Sequence, residues 1–217
     1  MLYLPFYDFR NELMSNKKKL LVLLHGYGAD GNDLLPIGEH IQKKIPNIEF
    51  ISPNAFDKCE LNPFGYQWFH IDEDRRYIFN QNIQNVTDRV FNEYIKKEAE
   101  KRSLDISDVI LCGFSQGGMI SLAVGLRSIE KPLAVISLSG LLMNEIIPVG
   151  KQQPNILMMH GSLDDVVPIN FYEKSKNQLD KQKIIYNCKS YENLSHNISS
   201  DEIEDLISYI ETIITKN

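Results

Sequence analysis

Ser115 stands at the centre of Gly113-Phe114-Ser115-Gln116-Gly117, a G-x-S-x-G pentapeptide set between two kinds of local pattern. Before it runs Asp108-Val109-Ile110-Leu111-Cys112, apolar and β-rich. After it, Gly118 to Ser128 carries apolar residues at helical spacing. A strand that turns sharply into a helix over such a pentapeptide holds its serine in a strained conformation. The residues two before and two after must then be small, so that strand and helix can pass closely. The hydroxyl is lifted above the sheet edge, and the helix N-terminus offers backbone N–H groups where an oxyanion would form. A serine hydroxyl is a weak nucleophile at neutral pH and needs a positioned base, itself oriented by a buried carboxylate. Five histidines compete for the base: His25, His40, His70, His160 and His196. For the carboxylate, His160-Gly161-Ser162-Leu163-Asp164-Asp165-Val166-Val167-Pro168 offers two adjacent aspartates, while Asp180 and Asp201 sit in helical or solvated settings.

The elements that must position these groups alternate along the chain. Lys19 to Leu24 is a near-continuous aliphatic run, which suits a strand buried on both faces, and Ile48 to Ser52 is a second. Residues 2–9 alternate enough for an edge strand. Ile83, Val86, Val90, Tyr94 and Ile95 keep helical spacing to about Arg102. Strands are expected again at 108–112, 133–138, 156–160 and 184–191, with helices near 116–128 and 170–182. A last amphipathic helix carries Ile203, Leu206, Ile207 and Ile210 on one face. Strands alternating with helices imply an α/β fold with a mainly parallel central sheet and helices on both faces. With the elbow at Ser115, this is the α/β-hydrolase fold. Ligands bind such sheets at the carboxyl ends of the strands, and each catalytic candidate follows an expected strand. Residues 54–82 break the alternation yet hold Phe56, Phe64, Tyr66, Trp68, Phe69, Tyr77 and Phe79, so a partly ordered loop lining the site is expected there.

Composition narrows the class. The 217 residues fit one domain over 1–217, with 43% hydrophobic and 24% charged residues, as in an ordinary soluble protein. A net charge of −6 argues against nucleic acid or an anionic membrane as partner. No run is long and apolar enough for an integral membrane span, and the first twelve residues lack the pattern of a signal peptide. Cys59, Cys112 and Cys188 show no C-x-x-C spacing, so neither disulfides nor zinc are indicated, and a cytoplasmic setting is expected.

In this fold the chain order is Ser, then Asp or Glu, then His. His25, His40 and His70 precede Ser115, and His160 is embedded in a strand. His196 falls between the last strand and the last helix, where the fold delivers its base. The order leaves Asp164 and Asp165 open. For the oxyanion, Gln116 supplies one N–H, and the loop Leu24-His25-Gly26-Tyr27-Gly28-Ala29-Asp30-Gly31 supplies the second through Tyr27. That loop fits neither G-x-G-x-x-G nor a P-loop, so no nucleotide is expected.

The segments L-H-G-Y-G-A-D-G, Trp68-Phe69, G-F-S-Q-G-G, H-G-S-L-D-D-V-V-P and Y-E-N-L-S-H resemble the carboxylesterase/lysophospholipase family that includes acyl-protein thioesterases. The resemblance spans roughly residues 20 to 200. It implies that Asp164, the fifth residue of H-G-x-x-D, is the catalytic aspartate and Asp165 a bystander. The family usually has glycine three before the histidine, where this chain has Asn193, a residue that tolerates a left-handed backbone. A serine hydrolase of carboxylic esters or thioesters is therefore expected, with Ser115, His196 and Asp164 as its triad and no metal or organic cofactor. Its partner would be a small acyl ester or thioester, a lipid and an acylated protein being both within that class. Monomer and homodimer both stay open. An acyl channel is expected from Trp68, Phe69, Leu141, Leu142 and Met143. A peptidase on the same fold and a non-catalytic binding module are the rival readings.

Overall fold

Lys19–Leu24 forms β1, buried along its whole length: Leu20 to Leu24 are aliphatic, and the Lys19 ammonium is buried against Asp108 Oδ1 at 2.7 Å. In the computed structural model, which describes residues 17–71, 80–144, 146–150 and 152–216, five further strands join it in parallel. They are β2 (Ile48–Ile51), β5 (Val109–Phe114), β6 (Ala134–Leu138), β7 (Asn155–Gly161) and β8 (Asn187–Tyr191), in the order β2-β1-β5-β6-β7-β8. A separate antiparallel pair, β3 (Asp57–Lys58) and β4 (Tyr66–Gln67), lies within the aromatic-rich loop. The expected edge strand over 2–9, and Tyr77 and Phe79, lie outside the described residues.

Helices cover both faces, as the alternation predicts. Leu20, Val22 and Leu24 pack with α2 (Gln81–Val90), α3 (Gln116–Arg127) and α4 (Ile169–Lys181). Leu21 and Leu23 pack with α1 (Leu35–Lys44) and α5 (Ser200–Thr215). One expected helix is broken in kind. After α2 the chain widens into a π-helical stretch, Phe91–Lys96, before a short helix ends at Lys101. The wide turn carries Tyr94, whose ring stacks on Phe56 and whose hydroxyl donates to the Asn54 carbonyl at 3.0 Å. Helical spacing alone does not distinguish such a turn from α-helix.

Strand β5 runs two residues beyond the expected 108–112, through Gly113 and Phe114. The extension matters because it delivers Ser115 at the carboxyl edge of the sheet, in the middle rather than at a margin. The loops after β1, β5, β7 and β8 all open on that same edge.

Glu202, in the first turn of α5, is a charge-bearing residue in the apolar layer. It is fully buried, and neither carboxyl oxygen has a well-formed hydrogen bond. Burial pushes its pKa up to about 7; the Ser199 N–H opposes this and the Asp205 carboxylate adds to it. The Cys112 thiol of β5 faces the same carboxyl, and burial pushes that thiol's pKa up as well. Below the ordinary carboxylate value, folded and unfolded chains both hold the Glu202 proton. Between there and about 7 only the folded chain keeps it, so stability is lost as pH rises through this window. Glu202→Gln is expected to gain up to about 3 kcal/mol over the natural chain between pH 5 and pH 8. Urea unfolding at both pH values measures it, and parallel pH dependence in the two proteins would contradict the assignment.

Candidate active site

The serine turn is built by two close approaches among three elements. A Cβ on Gly113 would fall 2.2 Å from the Gly117 carbonyl carbon, and one on Gly117 would fall 2.0 Å from the Leu24 carbonyl oxygen. Only glycine lets β5, α3 and β1 meet at these positions. Between them Ser115 has φ 52° and ψ −116°, outside the regions a non-glycine residue ordinarily occupies. Such strain costs about 1–3 kcal/mol and survives only where neighbours over-determine it. Here the Ser115 N–H donates to the Leu138 carbonyl at 2.8 Å, and its own carbonyl accepts the Met119 N–H at 3.1 Å.

The expected base and carboxylate come from the loops after β8 and β7. His196 Nδ1–H donates to Asp164 Oδ2 at 2.7 Å. The other oxygen, Oδ1, accepts the N–H groups of Val166 at 3.0 Å and Val167 at 2.7 Å. Asp164 is buried, with both of its backbone donors supplied by its own loop, whereas Asp165 is exposed. The two loops are tied directly: Leu163 N–H donates to the Leu194 carbonyl and Ser162 N–H to that of Tyr191. A Cβ on Gly161 would meet the Leu194 carbonyl oxygen at 2.3 Å. Asn193 takes a left-handed turn, φ 59°, as expected of the residue that replaces glycine there, and its N–H reaches Ser162 Oγ at 3.0 Å. The Phe114 ring lies 4.8 Å from the His196 ring, so the elbow itself braces the imidazole.

The other buried histidines are structural, as their positions in the sequence suggest. His160 Nε2–H donates to the Val167 carbonyl at 2.7 Å and lies 3.4 Å from Asp164 Oδ2. Burial holds its pKa below the ordinary imidazole value, so it props Asp164 as a neutral ring. His25 Nδ1–H donates to the Gly26 carbonyl, Nε2 accepts the Ala55 N–H, and burial again keeps the ring neutral.

Ser115, His196, Tyr27 and Gln116 all line one cleft of about 740 Å³. The first N–H groups of a helix have no intrahelical acceptor, and Gln116 is the first residue of α3. Gly26 brings the other loop against the elbow, its Cβ position being 3.5 Å from that of Ser115. A second groove, of about 430 Å³ between β7, β8 and α5, has no histidine among its described lining residues.

The acyl-channel expectation needs correction. Trp68, Phe69, Leu141, Leu142 and Met143 are buried in the core, and none of them lines the cleft. Trp68 is wholly buried, its ring edge-on to Phe56 and Tyr94, its Nε1–H donating to the His25 carbonyl at 2.9 Å. Apolar walls are supplied instead by Met119, Phe114, Val166, Val167, Leu61 and Ile71. Sequence reasoning also missed the side chain of Gln116. Its Oε1 accepts the Trp68 N–H at 2.8 Å and its Nε2 donates to the Phe69 carbonyl at 2.7 Å, clamping the aromatic loop to the elbow. No periodic pattern announces such a contact, but Val166 and Val167 lie within the quoted aspartate motif.

The chain is similar to known hydrolases along most of its length. The phospholipase/carboxylesterase family matches residues 12–214. The sequence is 30% identical to acyl-protein thioesterase 1 of Candida albicans, over 93% of this chain and 95% of that protein. Acyl-protein thioesterase 1 homolog 1 of Dictyostelium discoideum is 28% identical, over 90% and 91%. Among solved structures, esterase PE8 superposes with a TM-score of 0.81 at 33% identity, covering 91% of this chain and 93% of that one. Arabidopsis thaliana SOBER1 shares the fold, with a TM-score of 0.74 at 23% identity over 92% and 98%.

The two aspartates separate on burial and partners. Asp164→Asn is expected to slow turnover of an activated ester on the order of 10⁴-fold, the loss seen when a triad imidazole is left in the wrong tautomer. Asp165→Asn is expected to change it less than about threefold. Assay of both at neutral pH distinguishes them, and the reverse ranking would move the carboxylate to Asp165.

Proposed function

Because the chain belongs to the phospholipase/carboxylesterase family of α/β-hydrolases, we propose that it hydrolyses carboxylic esters and thioesters through a Ser115–His196–Asp164 triad. The observation that carries this reading is the 2.7 Å His196–Asp164 hydrogen bond in the wall of the cleft that also holds the strained Ser115. With Nδ1–H committed to the carboxylate, Nε2 is the nitrogen left to accept the Ser115 proton. Ser115 Oγ attacks the acyl carbonyl, and the electron pair moves to the carbonyl oxygen. The N–H groups of Tyr27 and Gln116 receive that oxyanion, fixed beforehand by the helix start and the glycine-flanked turn. Collapse expels the alcohol or thiol, which takes its proton from His196. Water, deprotonated by the same imidazole, then releases the acid from the acyl-enzyme.

The Asp164 carboxylate compensates the imidazolium, and its two backbone donors hold it in that role. The acyl group lies against Phe114, Met119 and Val167, whose apolar surfaces form the inner cleft. Each methylene transferred there from water is worth about 0.8 kcal/mol, so acyl chains are favoured over acetyl until the wall is covered. The names of the relatives support thioesters beside oxygen esters as substrates.

A fluorophosphonate probe is expected to label the chain once, at Ser115, and mass spectrometry of the labelled peptide reads the position. Ser115→Ala and His196→Ala should each lose on the order of 10⁴-fold or more in kcat, because nucleophile and base act as a unit. Labelling at another residue, or a Ser115→Ala protein that keeps a few per cent of the activity, would refute the mechanism.

A further inference from the structure

The cleft is divided by burial. Its inner lining, Phe114, Gln116, Met119 and Val167, is shielded from solvent or nearly so, whereas Asp33, Glu60 and His70 are exposed and stand at the mouth. Glu60 Oε2 meets His70 Nδ1 at 2.8 Å, with both side chains more than half exposed. Asp33 reaches the mouth from the turn before α1, and Glu60 from the loop between β3 and β4. No lysine or arginine lines the cleft among the described residues. The hairpin's own cation, Lys58, is held over the Tyr66 ring at 3.8 Å and is not part of the lining. The acids at the mouth belong to a cleft that already holds a polar group at its base, Ser115, only 8% exposed.

We propose that Asp33 and Glu60 make this mouth select the leaving group by charge, favouring cationic alcohols and thiols and disfavouring anionic ones. The inference rests on the serine-hydrolase reading above. An acyl chain is uncharged hydrocarbon and goes to the inner apolar wall. Whatever charge a substrate carries is therefore on its alcohol or thiol, and that part is left at the mouth. Two carboxylates lining the mouth act on it additively through a wet, high-dielectric space. The substrate class that fits is an acyl thioester or ester whose leaving group bears a fixed positive charge; a polyanionic thiol is the class excluded.

The test uses three butyryl thioesters with different thiols: thiocholine (cationic), N-acetylcysteamine (neutral) and 3-mercaptopropionate (anionic). Each kcat/KM is divided by the rate at which hydroxylamine, an uncharged nucleophile at neutral pH, cleaves the same compound, which removes differences in leaving ability. The cation-to-anion ratio is expected to be about tenfold at low salt and to fall toward unity at about 0.5 M salt, where screening is nearly complete. The Asp33→Asn/Glu60→Gln double variant should bring the low-salt ratio to about unity. The Asp33→Asn/Glu60→Lys variant, which leaves a net positive mouth, should push it below unity. Glu130→Gln, on the connection into β6 at the opposite end of the sheet, removes the same kind of charge and should leave the ratio as it was. Turnover that depends on Ser115 but whose ratio ignores both salt and the double variant would overturn the charge selection alone. Absence of Ser115-dependent turnover of all three compounds would overturn the hydrolase reading and this proposal with it.

Discussion

Everything at this site depends on how closely three backbones are allowed to meet. The Leu24 carbonyl of β1 occupies the space a side chain on residue 117 would need, and the Gly117 carbonyl the space of one on residue 113. That contact draws the start of α3 against the ends of β1 and β5, and the only backbone that completes the turn puts Ser115 at positive φ. The strain, about 1–3 kcal/mol, is small beside the burial that imposes it. Strand β5 is buried through Gly113, and α3 is buried from Gln116 to Leu126. A serine held this way cannot relax without unpacking the central helix, so its geometry is inherited from the core.

The loops around the serine are built on the same principle. The aspartate and histidine loops share backbone hydrogen bonds and a glycine contact at Gly161. The Tyr27 loop presses Gly26 on the elbow, with Gly28 at φ 79° and its N–H on the Tyr66 carbonyl. Gln116 then fastens Trp68 and Phe69 to the same helix start. Four chain segments distant in sequence thus converge on one helix terminus. A catalytic group set on such supports needs little reorganisation to meet a developing charge.

How much of this the sequence discloses follows from what each contact depends on. β1 is legible because burial on both faces demands a run of aliphatic side chains, here the five from Leu20 to Leu24. The Ser115 turn is legible because close approach demands glycine at fixed offsets. Asp164 and Asp165 are not separable by pattern, since their difference is which one points inward, and only the family motif distinguishes them before the fold is seen. The aromatic loop misleads for a related reason. Seven aromatics without a period imply an ordered purpose, but period-free segments carry no sign of direction. Trp68 turns toward the core because its indole N–H finds the His25 carbonyl there. The walls of the cleft come instead from Met119 and the valines beside Asp164, residues whose apolar character reads equally as core.

The three buried or half-buried imidazoles show how environment assigns roles that residue type leaves open. His25 has both ring nitrogens engaged with backbone, one donating and one accepting. Protonation would break the bond from Ala55 and place a charge in a dry layer against Trp68, so burial lowers its pKa and it serves as a strut. His160 gives its Nε2–H to Val167 and is packed beneath Asp164 with its ring against Tyr172, which excludes it from the cleft. His196 alone combines a buried carboxylate on one nitrogen with a ring face on the cleft. The carboxylate that would attract a proton to His160 is already shared with His196 and with two backbone N–H groups. Its negative charge is thereby directed to the one ring of the three that lines the cleft. The division between strut and candidate base is therefore made by which ring faces the cleft, a property of the packed loops rather than of the histidines themselves.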